Sequence, residues 1–305
     1  MRARCLLILA LGLAACERSG RTQSGDAANL WQDFSGENAL RHVRQLVELG
    51  PRPPGSDALE KARVYLTKEL EGFGWQVTRQ NFTDPTPRGQ MTFVNLLATF
   101  QGEPKGATAM PVFLLASHYD TKLYETIRFV GANDGGSSNG LLVEMARVLA
   151  QKPALARKVQ LVFFDGEEAY VSFTESDGLY GSRHFAKQLA SEGKAKQFRG
   201  GLVFDMVGDR ALTITLPPDS PSEMVRGIFA AADALNLRKH FTYSTFDIMD
   251  DHTPLNAAGI PTVDVIDFDF PAWHTAGDTL EQISAESLDV VGTVATRYLV
   301  ETALK

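Results

Sequence analysis

Acids and histidines recur along this sequence in short groups that could hold a metal and move a proton. They are His118-Tyr119-Asp120, Asn133-Asp134, Asp165-Gly166-Glu167-Glu168, Asp205, Asp250-Asp251-His252 and Trp273-His274. Nitrogen and oxygen donors of these types hold a divalent cation, and a carboxylate left over beside it can take and return a proton. Several groups directly follow an apolar run that reads as a buried strand: Leu161-Val162-Phe163-Phe164 leads into Asp165, and residues 112–117 lead into His118. Open α/β sheets hold their ligands at such strand ends. The pattern predicts an enzyme of metal-dependent amide chemistry.

An isolated Glu167-Glu168 pair would read as a solvated helix start, because acids favour the first helical turn. Here it shares the chain with His118, Asp134 and His274, each at a strand end or adjoining loop. Side chains of neighbouring residues diverge, so one can bind a cation while the other faces a substrate. A zinc ion held by Asp134, Glu168 and His274 would keep an open fourth position, with Glu167 as general base. Residue chemistry alone leaves that division of roles open.

Positioning these groups falls to alternating strands and helices. Leu40, Val43, Leu46 and Val47 have helical spacing over residues 37–49, stopped by Gly50 and Pro51; residues 51–56 form a loop and 58–72 a second amphipathic helix. Strands are predicted over 75–82, 91–100, 112–117, 159–164, 201–207 and 262–267, with helices over 140–151, 181–192, 222–235 and 285–304. The expectation is one α/β domain with a central, mostly parallel mixed sheet, helices on both faces and antiparallel strands at the edges. No internal repeat or second composition regime interrupts it.

Arg2 and Arg4 precede the apolar run Leu6 to Leu13, and Leu13-Ala14-Ala15-Cys16 follows, which resembles a bacterial lipoprotein signal; the run is too short to cross a bilayer. The expected division is a signal over 1–15, a polar tether over 16–36 with lipid on Cys16, and a catalytic domain over 37–305. Glu17 gives no inner-membrane retention signal. The expected location is therefore a membrane surface facing the periplasm, the outer membrane rather than the inner. With Cys5 lost and Cys16 lipidated no cysteine remains, so a metal site must use nitrogen and oxygen. Removing residues 1–15 takes away two arginines and no acid, which moves the formal charge from −7 to −9 and argues against nucleic acid as a partner. A monomer is the simplest expectation for one compact domain.

Asp134, the run Phe163-Phe164-Asp165-Gly166-Glu167-Glu168-Ala169, Asp205, Asp250-Asp251-His252 and Trp273-His274-Thr275 together resemble the zinc-dependent M28 peptidase superfamily, with its zinc exopeptidase fold. The run Asp177 to His184, the doubled Asp250-Asp251 and Trp273 directly before His274 resemble its glutaminyl-peptide cyclotransferase branch, and the likeness extends over residues 37–304. By that resemblance Asp134, Glu168 and His274 bind one zinc, Glu167 shuttles the proton, Asp205 and Asp251 form a supporting acidic network, and Trp273 lines the substrate pocket. The implied reaction cyclises the N-terminal glutamine of a peptide or protein to pyroglutamate with loss of ammonia. One departure stands out: where an animal enzyme of this type carries a tryptophan shortly after the glutamate pair, this segment offers Phe173 as the aromatic wall.

Three other readings compete. A dinuclear zinc aminopeptidase would use His118 and Asp205 as further metal ligands, with Asp134 bridging. Gly136-Ser137-Ser138-Asn139-Gly140 fits a serine nucleophile elbow, but no apolar strand precedes it; the serines read instead as a cap for a helix starting at Gly140. A non-catalytic binding domain would have lost ligands that this chain retains, and would purify without stoichiometric zinc. His42, His240 and His184 read as packing or surface histidines, and His252 as a residue that could orient Asp251. Residues 265–271 read as core strand and loop or as pocket rim, and residues 128–131 as a possible border of the site.

Overall fold

The computed structural model describes residues 27–101 and 111–305; the expected signal and Cys16 lie outside the described residues. Helices α1 (Gly36–Glu48) and α2 (Asp57–Gly72) start where Ser35 and Ser56 accept backbone N–H bonds from Asn38 and Leu59, at 3.3 and 3.1 Å. Such caps satisfy N–H groups that no helical carbonyl can reach. Next come the hairpin β1 (Trp75–Thr86) and β2 (Gly89–Phe100), then β3 (Phe113–His118), α3 (Gly136–Ala150), a single turn α4 (Pro153–Ala156) and β4 (Val159–Phe164). The chain continues through α5 (Tyr180–Ser191), β5 (Gly200–Asp205), β6 (Ile214–Leu216), α6 (Ser222–Ala234), β7 (Phe241–Tyr243), α7 (His252–Ala257), β8 (Thr262–Ile266) and α8 (Ala285–Tyr298).

The strands form one sheet in the order β1-β2-β4-β3-β5-β8-β6-β7. Its centre, β4-β3-β5-β8, is parallel throughout, while β1 with β2, β2 with β4 and β6 with β8 pair antiparallel. The α/β expectation therefore holds, with the antiparallel pairs toward the edges. Alternation along the central strands sends side chains to opposite faces. Leu115, Leu161 and Phe163 join the larger core with α1, α3 and α8, and Leu114, Ala116, Val162 and Phe164 join a smaller one with Phe185 and Leu189 of α5 and Leu255 of α7. Both faces are covered, so these strands are apolar along most of their length, with Asp264 at the centre of β8 a buried exception.

The structure departs from the expected elements in places that have physical causes. The fold begins inside the expected tether: a 3₁₀ segment spans Ala27–Asp33, and Leu30, Trp31 and Phe34 are buried against the core. Three large apolar side chains outweigh a polar surrounding sequence, since each contributes about 1.5–3 kcal/mol when buried. Helix α3 starts at Gly136, so Ser137 and Ser138 lie within its first turn rather than capping it from outside. The short strands β6 and β7 carry too few residues for periodicity to reveal them. No described helix is long and apolar enough to cross a membrane.

Candidate active site

Because β4, β3, β5 and β8 run parallel, their C-terminal ends meet along one edge of the sheet. His118 ends β3, Asp165 to Glu168 follow β4, Asp205 ends β5, and the segment after β8 carries Trp273 and His274. Two close approaches there require glycine. At Gly166 (φ +71°) a Cβ would meet the Phe93 ring at 2.4 Å, and at Gly135 (φ +75°) it would meet His118 Cε1 at 2.9 Å. Non-glycine residues adopt the same left-handed region at Met206 (φ +47°) and His274 (φ +56°), next to or within the site. Such strain persists where surrounding contacts over-determine it.

Asp134, Glu168 and His274 converge as expected, their donor atoms all within 4.8 Å of one another. His274 Nε2 lies 3.1 Å from Glu168 Oε2 and 3.5 Å from Asp134 Oδ2. Asp134 Oδ2 is buried with no hydrogen-bond partner, which a cation between these groups would supply. Asp134 also belongs to a second group with His118 and Asp205, where His118 Nε2 lies 3.1 Å from Asp205 Oδ1 and 3.3 Å from Asp134 Oδ1. Both sets are nitrogen and oxygen donors of the kind zinc accepts, and the first leaves a coordination position free. Burial, with Glu168 beside it, raises the Asp134 carboxyl to about 8, a proton affinity that a bound cation would abolish.

Glu167 and Glu168 do diverge. While Glu168 faces His274, Glu167 lines a cleft of about 180 Å³ with Asp205, Asp250, Phe173 and Trp273. Burial holds the Glu167 carboxyl well above the ordinary range, the His118 charge opposes it, and Asp250, Glu168 and Asp251 reinforce it. Trp273 stacks on the His274 ring at 4.1 Å between centroids. The acid facing this cleft from the doubled pair is Asp250, not Asp251. Asp251 is the residue before α7 and is fully buried, so the chain's entry into that helix turns its side chain inward. His252 lies against Asp264 (3.6 Å) and Asp219 (3.4 Å) rather than holding Asp251.

Buried groups fix this constellation from behind. The Asp120 carboxylate accepts the backbone N–H groups of Glu167 at 3.1 Å and Glu168 at 3.4 Å. Asp278 accepts those of Asn133 at 2.7 Å and Asp134 at 3.0 Å. Arg52, fully buried, donates to the carbonyls of Val130 (2.9 Å) and Gly131 (3.3 Å), and within residues 128–131 the Phe129 ring lies 5.9 Å from that of His274, centroid to centroid. Asp177 accepts the N–H groups of Tyr170 and Val171, both at 2.8 Å, and shapes the loop that presents Phe173. Lys122 Nζ stands 3.5 Å from Glu168 Oε2. Asp278, Arg52 and Lys122 carry no local signature: each is a single polar residue in a loop, important only for what the fold brings near it. Asp120 had a signal, since it sits two residues after a strand-end histidine.

The remaining candidates lie elsewhere. Ser138 is fully buried in α3 with its hydroxyl engaged by Ser117 (2.7 Å) and the Gly135 carbonyl (3.2 Å), which removes the nucleophile-elbow reading. His42 bonds Tyr65 at 2.6 Å, His184 stacks on Phe82 at 4.1 Å, and His240 lies 3.3 Å from the Leu212 carbonyl, all structural roles.

The sequence profile of peptidase family M28 matches residues 95–299. A glutaminyl-peptide cyclotransferase of Drosophila melanogaster is 27% identical over 300 residues, covering 89% of this chain and 83% of its own. A crystal structure of a glutaminyl cyclase from an Acidobacteriales bacterium superposes with a TM-score of 0.80 at 32% identity, covering 89% of this chain and 95% of that one. A Zn-dependent exopeptidase from Parabacteroides distasonis gives a TM-score of 0.79 at 27% identity, covering 88% and 98%.

Proposed function

This chain belongs to peptidase family M28 and, within it, to the glutaminyl cyclase branch, and we propose that it converts the N-terminal glutamine of peptides or proteins to pyroglutamate with release of ammonia. The observation that carries the reading is the split glutamate pair, one carboxylate in a metal-fitting group and the other in an aromatic-walled cleft. Asp134, Glu168 and His274 would hold the zinc, since their donor atoms lie within 4.8 Å of one another. Zinc, when bound, supplies a Lewis acid that polarises the substrate's side-chain amide carbonyl.

Glu167 accepts a proton as the α-amine attacks the side-chain amide carbon; the new C–N bond closes the ring. The same carboxyl then returns the proton to the departing nitrogen as its bond to carbon breaks, and ammonia leaves. A carboxylate with raised proton affinity suits both halves, and Asp250 beside it sustains that affinity. Asp205 faces the cleft from the other side and Asp251 adds its charge from within. Trp273 and Phe173 wall the cleft and keep water from competing with the amine.

A dinuclear aminopeptidase is the second reading, favoured by the group His118, Asp134 and Asp205. Incubation with a Gln-Ala-type and a Leu-Ala-type peptide, followed by mass spectrometry, separates the two. A loss of about 17 mass units, one ammonia, from the first peptide alone is expected. Release of free leucine would replace the cyclase reading, and stable peptides with no zinc bound would leave a binding domain.

We also propose that the chain is exported, lipidated at Cys16 and held on a membrane facing the periplasm, which the sequence around Cys16 supports, and that it is a monomer, the simplest state for one compact domain. Cys16→Ser is expected to move the protein from the membrane to the soluble fraction. Its persistence on the membrane would reject the anchor.

A further inference from the structure

A second groove, of about 680 Å³, shares no lining residue with the cleft and opens between the outermost strand of the sheet and helix α5. Arg79, Gln80 and Asn81 of β1 form one wall, and His184, Lys187 and Gln188 of α5 the other. Every side chain lining it is polar and none is acidic, in a chain whose formal charge is −7. The walls are tied together. Asn95 Nδ2 donates to Gln80 Oε1 at 2.7 Å, Gln80 Nε2 donates to Gln188 Oε1, and the His184 ring lies flat on Phe82 at 4.1 Å between centroids. Two acids touch lining residues, Glu60 on Arg79 at 2.8 Å and Glu192 on Gln188 at 2.7 Å, and each has a second cation, Arg63 at 3.0 Å and Lys194 at 2.7 Å. Lys187 is exposed and makes no ion pair among the described residues.

β1 pairs with β2 alone along its 12 residues, so its outer edge carries backbone N–H and C=O groups that meet no strand among the described residues. A bare edge ordinarily stays in solvent, blunted by a charge such as Arg79 or a proline such as Pro85. Here a helix face stands beside the edge and makes a slot. An extended peptide adds to an exposed sheet edge through main-chain hydrogen bonds, and walls beside the edge select its alternate side chains. We propose that the groove takes an extended acidic segment of a partner polypeptide as a ninth strand beside β1, with adjacent carboxylates meeting Lys187 and Arg79. Gln80 turns toward α5 and Arg79 toward α2, as their contacts with Gln188 and Glu60 show, so the two cations stand on opposite faces of the sheet. Successive side chains of a strand also face opposite ways, which lets two adjacent acids reach one cation each. Arg79 can serve a second carboxylate, because a guanidinium carries more N–H groups than Glu60 uses. From His184 to Ser191 the helix rises about 10 Å, the length of about three strand residues.

The probe is acetyl-Val-Glu-Glu-Val-Thr-amide, which has no N-terminal glutamine to react, titrated into isotope-labelled protein and followed by NMR. Backbone resonances of residues 79–82 and 184–191 are expected to shift, while those of Asp250 and Trp273 in the cleft stay in place. The lysine counterpart, acetyl-Val-Lys-Lys-Val-Thr-amide, should not bind. N-methylation of both central amides leaves the charges and removes the donors, so it should abolish binding if a strand is added. Lys187→Glu should weaken binding by about fivefold, the scale of one exposed ion pair. Lys187 is exposed, and an unchanged melting temperature establishes that the variant is folded. No shift at millimolar peptide, equal binding of the lysine or N-methylated peptide, or full affinity in Lys187→Glu overturns the inference.

Discussion

Glu167→Gln is expected to lower kcat for cyclisation by about three orders of magnitude while zinc remains bound. The substitution keeps the shape and removes the ability to take the amine's proton. Glu167 lines the cleft but belongs to neither metal-fitting group, so its loss should leave the metal content of the purified protein unchanged. Stability offers a second readout with the opposite sign. A carboxyl whose folded pKa lies above its unfolded value binds its proton more tightly in the folded state, so the folded state loses stability as pH rises between the two values. Burial places Glu167 in that class. At neutral pH the neutral amide should therefore match or exceed the wild-type melting temperature. Steady-state kinetics, zinc analysis and thermal melts check the three expectations together; a variant that keeps a tenth of wild-type kcat would take the proton shuttle away from Glu167.

Asp134→Asn is expected to remove both zinc and activity. Asp134 is the one residue shared by the two metal-fitting groups, with Oδ1 toward His118 and Oδ2 toward His274. An amide in its place is a poor zinc ligand, and second-sphere changes alone already cost such sites 10- to 100-fold in affinity. The fold should survive, because Asp278 holds this segment through the backbone N–H groups of Asn133 and Asp134, which the substitution leaves in place. His118→Ala provides the contrast. It leaves Asp134, Glu168 and His274 intact, so one zinc per chain and some cyclisation should persist. Metal analysis of wild type and both variants decides the stoichiometry: two zincs in the wild type falling to one in His118→Ala would favour the dinuclear reading, and one in both favours a single ion.

Much of this was legible without coordinates. Strand-end acids and histidines announced the chemistry because a parallel sheet places its functional groups at the ends of apolar runs, and residues such as Leu161 to Phe164 write both the run and its end into the chain. Local patterns also set most helices, since Ser35 and Ser56 cap helices whose apolar faces repeat at helical spacing. What the patterns could not reach was any choice made by distant packing. Asp250 rather than Asp251 faces the cleft because the chain enters α7 there, and two adjacent identical residues give no clue to which one turns inward.

The sequence by itself thus determined the α/β class, the donor types available to a metal and the distinct roles open to Glu167 and Glu168, because each is a property of residue type and short-range spacing. Tertiary structure alone decided that Asp278 and Arg52 brace the Asp134 segment, that Asp120 fixes the glutamate pair, and that Phe173 and Trp273 wall one cleft. Those contacts join residues tens to more than a hundred positions apart, and their energy depends on burial and distance that no local stretch of chain encodes.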